Sequence, residues 1–308
     1  MKRALIGLLS CMALLSTFAP LRAADDPALT RQEDVIYGRK YGTALTMDVF
    51  TPRKDANGAA IIFVVSGGFF SSHEAINPAF FKEYLGRGYV VFAVVHGSQP
   101  KFTIPEILED MNRSVRFIRY HAKGYKIDPD RIGITGGSAG GHLSLMQGTH
   151  GDKGNADAKD PIEKTSSRVL CVACFFPPTD FLNYGEKGKD ALGRGTLAAF
   201  KAPFDFKEFD KEEKCFVSVT DEKKFLEIGK QISPIYHVTE DAPPTLILHG
   251  DADTLVPIQQ AETFIEKLKE AKVPCELVVK KGAGHGWPDL AKDSATCADW
   301  FDKYLRKK

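Results

Sequence analysis

The sequence predicts an α/β fold, a mostly parallel central sheet with helices on both faces, and three observations carry that expectation. Ala59–Val65 and Val90–Val95 are continuous apolar runs of strand length, the signature of parallel strands buried on both faces. Between and after them, apolar residues recur at helical spacing: Phe80, Phe81, Tyr84 and Leu85, then Ile107, Met111, Val115 and Ile118. The strand–helix alternation then continues to the end of the chain, the rhythm of βα units packed in layers.

Near the start of this pattern, Leu45, Met47 and Val49 alternate with Thr46 and Asp48, as in a half-buried strand. The stripe from Ile107 stops before Gly124, and Arg131–Thr135 reads as the next strand. Val169–Phe176 is a further buried strand; Thr245–His249 and Cys275–Val279 are two more. A helix over about 258–271 separates that last pair, and a final helix covers about 291–305. Residues 182–232 break the rhythm: they are rich in Lys, Glu, Asp, Gly and Phe and show no strand pattern. They read as a lid-like insertion between sheet strands, at the end of the sheet where loops carry function. An exposed excursion without substrate contact is the plainer alternative.

Lys2 and Arg3 precede the apolar run Ala4–Ala19 and the small residues Ala23 and Ala24, the pattern of a secretory signal peptide over residues 1–24. The run is shorter than the roughly 20 residues of a membrane span. Export to the periplasm or beyond is therefore expected, without stable membrane association after cleavage. Residues 25–308 read as a single domain, within the size one core supports. Without the leader, 38 basic residues face 40 acidic ones. Such a near-neutral balance argues against nucleic acid or an anionic membrane as partner.

Five cysteines lie beyond the leader. Cys171 and Cys174 have the spacing of a redox or zinc pair, but they fall within a buried strand. Residues three apart on a strand sit roughly 10 Å apart on opposite faces, so these two are expected as core thiols. A disulfide among Cys215, Cys275 and Cys297 stays open.

The chemistry centres on Gly136-Gly137-Ser138-Ala139-Gly140, between a predicted strand and the helical stretch 141–147. A sharp strand-to-helix turn lifts such a serine above the sheet as a nucleophile, and glycines two residues either side let strand and helix pass closely. A phosphate-binding turn is the competing explanation, but no dinucleotide or P-loop fingerprint accompanies it. The serine needs a base, and the base an orienting acid. Leu248–Pro257 (LHGDADTLVP) leaves a predicted strand and offers Asp253 as the acid, with Asp251 as the alternative. Gly282–Trp287 (GAGHGW) comes after the last strand and offers His285 as the base. His142 and His249 are expected to be structural; His73 and His96 are secondary candidates for the mouth of the site.

Acyl transfer also needs donors for an oxyanion. Val65-Ser66-Gly67-Gly68-Phe69-Phe70-Ser71 leaves the second predicted strand, so Gly68 or Phe69, together with Ala139, are the expected backbone donors. Phe69, Phe70 and Trp287 are candidate surfaces for substrate.

Taken together, the SGGFF, GGSAGG, HGDADTLVP and GAGHGW segments resemble the esterase/lipase branch of the α/β-hydrolases, and in particular exported bacterial carbohydrate and feruloyl-type esterases. The likeness runs over about residues 35–308. It implies the α/β-hydrolase fold, a Ser138–His285–Asp253 triad and a covalent acyl-enzyme. No metal or organic cofactor is implied. The implied substrates are short or aromatic acyl esters, of small molecules or of oligosaccharides. Ser66 and Phe69 depart from the HGGG form of the oxyanion loop. Two rival functions remain: a serine peptidase or amidase, and a non-catalytic binding module of the same fold.

Overall fold

The computed structural model describes residues 28–306; the expected signal peptide lies outside them. In chain order the elements are β1 (Leu29–Lys40), β2 (Thr43–Pro52), β3 (Ala60–Val65), α1 (Lys82–Gly86), β4 (Val90–Val95), α2 (Ile104–Tyr120), α3 (Ala122–Tyr125), β5 (Ile132–Thr135) and α4 (Ala139–His150). Then come β6 (Cys171–Phe175), β7 (Lys207–Asp210), β8 (Cys215–Ser218), α5 (Glu222–Gln231), β9 (Thr245–Gly250), α6 (Gln259–Glu270), β10 (Cys275–Lys280) and α7 (Ser294–Leu305).

Eight strands form one sheet in the order β1-β2-β4-β3-β5-β6-β9-β10. From β4 to β10 all neighbours are parallel; β2 runs antiparallel to both β1 and β4. This is the mostly parallel sheet that the apolar runs predict. Alternate residues of each buried strand feed opposite cores. Ile62, Val64, Phe92 and Val94 face α2, α4 and α6, whereas Ile61, Val65, Val91 and Ala93 face α1 and α7. The period-2 geometry of a strand makes one run of apolar residues serve both layers. Ile107, Met111, Val115 and Ile118 are all fully buried on α2. Its start is fixed by Glu106, whose carboxylate accepts the Thr103 backbone N–H at 2.8 Å.

Cys171 and Cys174 fall in opposite cores, as strand geometry requires, and burial pushes both thiols upward in pKa. Cys215, Cys275 and Cys297 are free as well, so none of the candidate disulfides is formed.

The chain leaves the sheet after β6 and returns at β9, and residues 182–232 form the body of this excursion. Against expectation it contains a hairpin, β7–β8, paired from Lys207–Ser218 to Asp210–Cys215. Both faces of that hairpin are largely solvated, with Phe209 and Phe216 exposed, so no hydrophobic alternation betrays it. Strand β1 is equally silent in sequence. It is an edge strand with irregular register at Gln32–Val35, and only its Tyr37 is fully buried.

Candidate active site

Ser138 occupies the bend between β5 and α4 with φ 54° and ψ −118°, a left-handed conformation costly for a side-chain-bearing residue. Its amide donates to the Phe175 carbonyl at 3.0 Å, tying the bend to the end of β6. The flanking glycines are required by close approach. A Cβ on Gly136 would lie 2.6 Å from the Gly140 carbonyl carbon, and one on Gly140 would lie 2.8 Å from the Val64 oxygen. Gly140→Ala is therefore expected to destabilise the fold by about 1–3 kcal/mol, the usual range for overpacking. Urea melts check this, and an unchanged midpoint would contradict the close approach.

The loops after β9 and β10 bring the other two predicted residues to this serine. His285 Nε2 lies 2.9 Å from Ser138 Oγ, and His285 Nδ1 lies 2.7 Å from Asp253 Oδ2. An ionised carboxylate only accepts, so Nδ1 carries the proton and the Nε2 lone pair faces the serine. Asp253 Oδ1 accepts the backbone N–H groups of Leu255 and Val256, each at 2.9 Å. His249 is buried beneath this loop. Its Nε2 donates to the Val256 carbonyl at 2.8 Å and lies 3.4 Å from Asp253 Oδ2, the structural role its place at a strand end suggests. Asp251 points elsewhere, its Oδ1 accepting the Gly282 N–H at 2.6 Å. It braces the loop that carries His285.

Burial by itself would raise the pKa of Asp253, but the His249 and His285 side chains beside it and the hydrogen bond from the Val256 amide outweigh burial and hold the carboxyl well below the usual range. The folded pKa thus lies below the unfolded value of about 3.9. Its stabilising contribution is complete above that pH and fades as acid approaches the folded pKa. The melting-point gap between wild type and Asp253→Asn should narrow from pH 6 to pH 3 in thermal melts. A gap that widens with acid would contradict the depressed pKa.

The candidate oxyanion donors meet at the same place. Gly67 and Phe70 exchange both backbone hydrogen bonds, at 3.0 and 2.9 Å, closing a two-residue turn. Its central residues, Gly68 and Phe69, both have positive φ, 56° and 63°, as a type I′ turn requires. Among the described residues neither amide donates to any protein group. The third candidate, the Ala139 N–H, opens α4, where amides have no intrahelical acceptor and the helix end favours negative charge.

This loop is pinned from below. Ser66 Oγ lies 2.8 Å from His96 Nε2, and His96 Nδ1 donates to the Gly97 carbonyl at 2.8 Å. Burial drives the His96 pKa down to about 4, so the ring is neutral and Ser66 is its donor. His96 thus holds the loop from the core instead of lining the mouth. His73 lies at 3.3 Å from Asp48, beside β1–β2, and lines neither cavity at the serine. His142 is buried, bonded to the Ile232 carbonyl at 2.7 Å.

Two cavities meet at Ser138. One, of about 20 Å³, is lined by Gly68, Phe69, Ala139, Leu197, Phe200 and Phe204. The other, of about 530 Å³, is lined by residues including Ser66, Phe80, Phe175, Phe176, His285 and Leu290. A larger trough, about 1010 Å³, runs between Pro52–Asp55 and α1 and holds none of the candidate residues.

Of the aromatic rings singled out in the sequence, Phe69 lines the small cavity but is itself buried, its ring edge-on to His142 and Phe204. Phe70 and Trp287 line neither cavity. Phe70 comes after the turn and is 53% exposed. Trp287 sits behind Phe175 and Phe176, its Nε1–H donated to Asp293 at 2.5 Å. The charged segment Lys207–Lys214 also contributes to neither cavity, so its charge does not decide what binds there. The insertion reaches the site through Leu197, Phe200 and Phe204 instead. No local motif marks those three, nor Phe175 and Phe176, which read as core.

No helix among the described residues is long and apolar enough to cross a membrane. Comparison with known proteins agrees with the fold. "Probable carboxylic ester hydrolase LipM" of Mycobacterium tuberculosis is 29% identical over 77% of this chain and 51% of its own length. "Esterase LipC" of the same organism is 27% identical over 85% of the chain and 61% of its own length. The chain thus spans about half the length of these curated relatives. A solved truncated carbohydrate esterase from gut microbiota superposes with a TM-score of 0.75 at 24% identity, over 92% of this chain and 99% of that one. An acetyl ester-xyloside bifunctional hydrolase from Caldicellulosiruptor lactoaceticus gives 0.70 at 23%, over 88% and 95%. At such identities these structures speak for the fold. The BD-FAE family profile matches residues 47–268, most of the described chain, and the protein belongs to the BD-FAE family.

Proposed function

We propose that the protein is a serine carboxylesterase in which Ser138, His285 and Asp253 act as one unit through a covalent acyl-enzyme. The observation that carries this reading is the pair of hydrogen bonds, 2.9 and 2.7 Å, that run from the serine through the imidazole to a buried carboxylate. His285 Nε2 takes the hydroxyl proton as Ser138 Oγ bonds to the ester carbonyl carbon. The carbonyl oxygen gains the charge and faces the amides of Gly68, Phe69 and Ala139. Collapse breaks the bond to the alcohol oxygen, which leaves with the proton from His285. Water then attacks the acyl-enzyme by the same steps and frees the acid.

The substrates that fit this reading are short or aromatic acyl esters, with the alcohol on a sugar or oligosaccharide. The names of the relatives and structural neighbours support an ester bond, and the aromatic rings around the larger cavity suit a sugar face. The basic start, apolar run and small residues of the leader support export, and an exported enzyme meets such polymers. The mature chain is then expected to begin after Ala23 or Ala24, which intact mass of exported protein checks.

The direct test is labelling with a fluorophosphonate. One equivalent should add to the protein, on the peptide containing Ser138, with loss of ester turnover. Stoichiometric labelling of a different serine, or full turnover in the labelled protein, would overturn the assignment.

A further inference from the structure

The geometry points to Phe200, carried on the insertion, as the partition that fixes which end of the ester goes where and makes the acyl group the smaller of the two ends. The inference rests on the acyl-enzyme reading and adds the orientation of the substrate.

Phe200 lines both cavities at Ser138, as do Gly68, Ser138 and Leu255, and its ring is the bulkiest of the shared groups. The ring lies directly on the oxyanion turn: a Cβ on Gly68 would be 2.5 Å from its Cε1. Only glycine leaves room for the ring at that place. The ring is held by a short 3₁₀ segment, Gly195–Phe200, with a second, Ala202–Phe204, directly after it. Phe204, at the end of the second, is buried and packs edge-on against Phe69 and Phe181, with centroids 6.1 and 5.2 Å away. Phe200 itself is half-buried against the same core.

The chemistry then orients the ester. The leaving oxygen must face His285 Nε2, the group that protonates it. His285 lines the cavity of about 530 Å³ and not the small one. The alcohol therefore occupies the large cavity. The carbonyl oxygen turns toward Gly68, Phe69 and Ala139, and the acyl substituent enters the cavity of about 20 Å³. That space is far smaller than the cavity of about 530 Å³ on the other side, so the acyl substituent is the smaller of the two groups. A butyryl or aromatic acyl group meets Leu197, Phe200 and Phe204. The site is thus built for a small acid on a large alcohol, which narrows the short-or-aromatic acyl range to its small end.

The test uses the full chain and 4-nitrophenyl acetate, butyrate and hexanoate. The readout is the ratio of kcat/KM for hexanoate to that for acetate, from which the fraction of folded enzyme cancels. Phe200→Ala should raise this ratio at least about tenfold, since each methylene newly buried is worth about fourfold (about 0.8 kcal/mol). Leu197→Ala, which alters the small cavity alone, should raise it in the same direction. That variant should also leave the preference between methyl acetate and 1-naphthyl acetate within twofold of wild type. Ratios within twofold of wild type in both variants would overturn the partition. So would a Leu197→Ala enzyme that changes its alcohol preference and keeps its acyl preference, because the ester would then lie the other way round. Turnover that survives Ser138→Ala would instead sink the acyl-enzyme reading itself, so the two failures are told apart.

Discussion

Ser138→Ala is expected to lower ester turnover by roughly 10⁴-fold or more, and His285→Ala by a similar factor, because members of such a unit act together and their losses do not add. The structure makes the serine variant a clean one. Alanine pays the same conformational cost as serine at φ 54°, and among the described residues the hydroxyl's partner is His285 Nε2. The bend is held by backbone, through Ser138 N–H to the Phe175 carbonyl and His142 N–H to the Ser138 carbonyl. None of that changes on removing Oγ. Circular dichroism and melting point should therefore stay near wild type while kcat collapses. A kcat within tenfold of wild type, in a variant shown to be folded, would remove Ser138 from the mechanism.

Asp253→Asn should lower kcat by about 10²–10⁴-fold, through the tautomer of His285. The amide cannot choose its orientation freely. Two N–H donors, from Leu255 and Val256, converge on the Oδ1 position, so the asparagine oxygen stays there. Its NH₂ group then faces His285 Nδ1 at the place of Oδ2. Two donors cannot share that contact, so the imidazole must present a lone pair at Nδ1 and carry its proton on Nε2. In that form it cannot accept the serine proton. Asp251→Asn makes the internal control, because among the described residues its side-chain hydrogen bond is to the Gly282 N–H, which an amide oxygen accepts equally well. Its kcat should stay within about threefold of wild type, the size expected for loss of one loop-bracing charge. If steady-state kinetics show the large loss in Asp251→Asn and not in Asp253→Asn, the orienting acid is Asp251.

Much of this site is legible from local patterns. Each of Ser138, Asp253 and His285 lies just past the end of a predicted strand, in a loop rich in glycine or aspartate. Parallel strands deliver such loops to one edge of the sheet. The turn at Gly67–Phe70 shows itself by its pair of glycines. What stayed hidden lacked a periodic signal. Strand β1 is polar along most of its length because it sits at an edge, with a single fully buried ring at Tyr37. Both faces of the β7–β8 hairpin are largely solvated, so its Phe209 and Phe216 read as scattered aromatics. Phe70 and Trp287 sit close in sequence to candidate catalytic residues and yet turn away from them. A positive-φ turn and a hydrogen bond to Asp293 decide their directions, and neither can be seen in the order of residues.

The sequence by itself determined the layered fold, the strand that carries each reactive side chain, and the glycines that the elbow cannot replace. These depend on period, length and backbone freedom, which are local properties. Only the tertiary structure decided how the space around Ser138 is divided. That division comes from Phe200, some sixty residues further along the chain, lying against Gly68. Contacts between such distant segments are set by packing of the whole core. No short stretch of sequence records them.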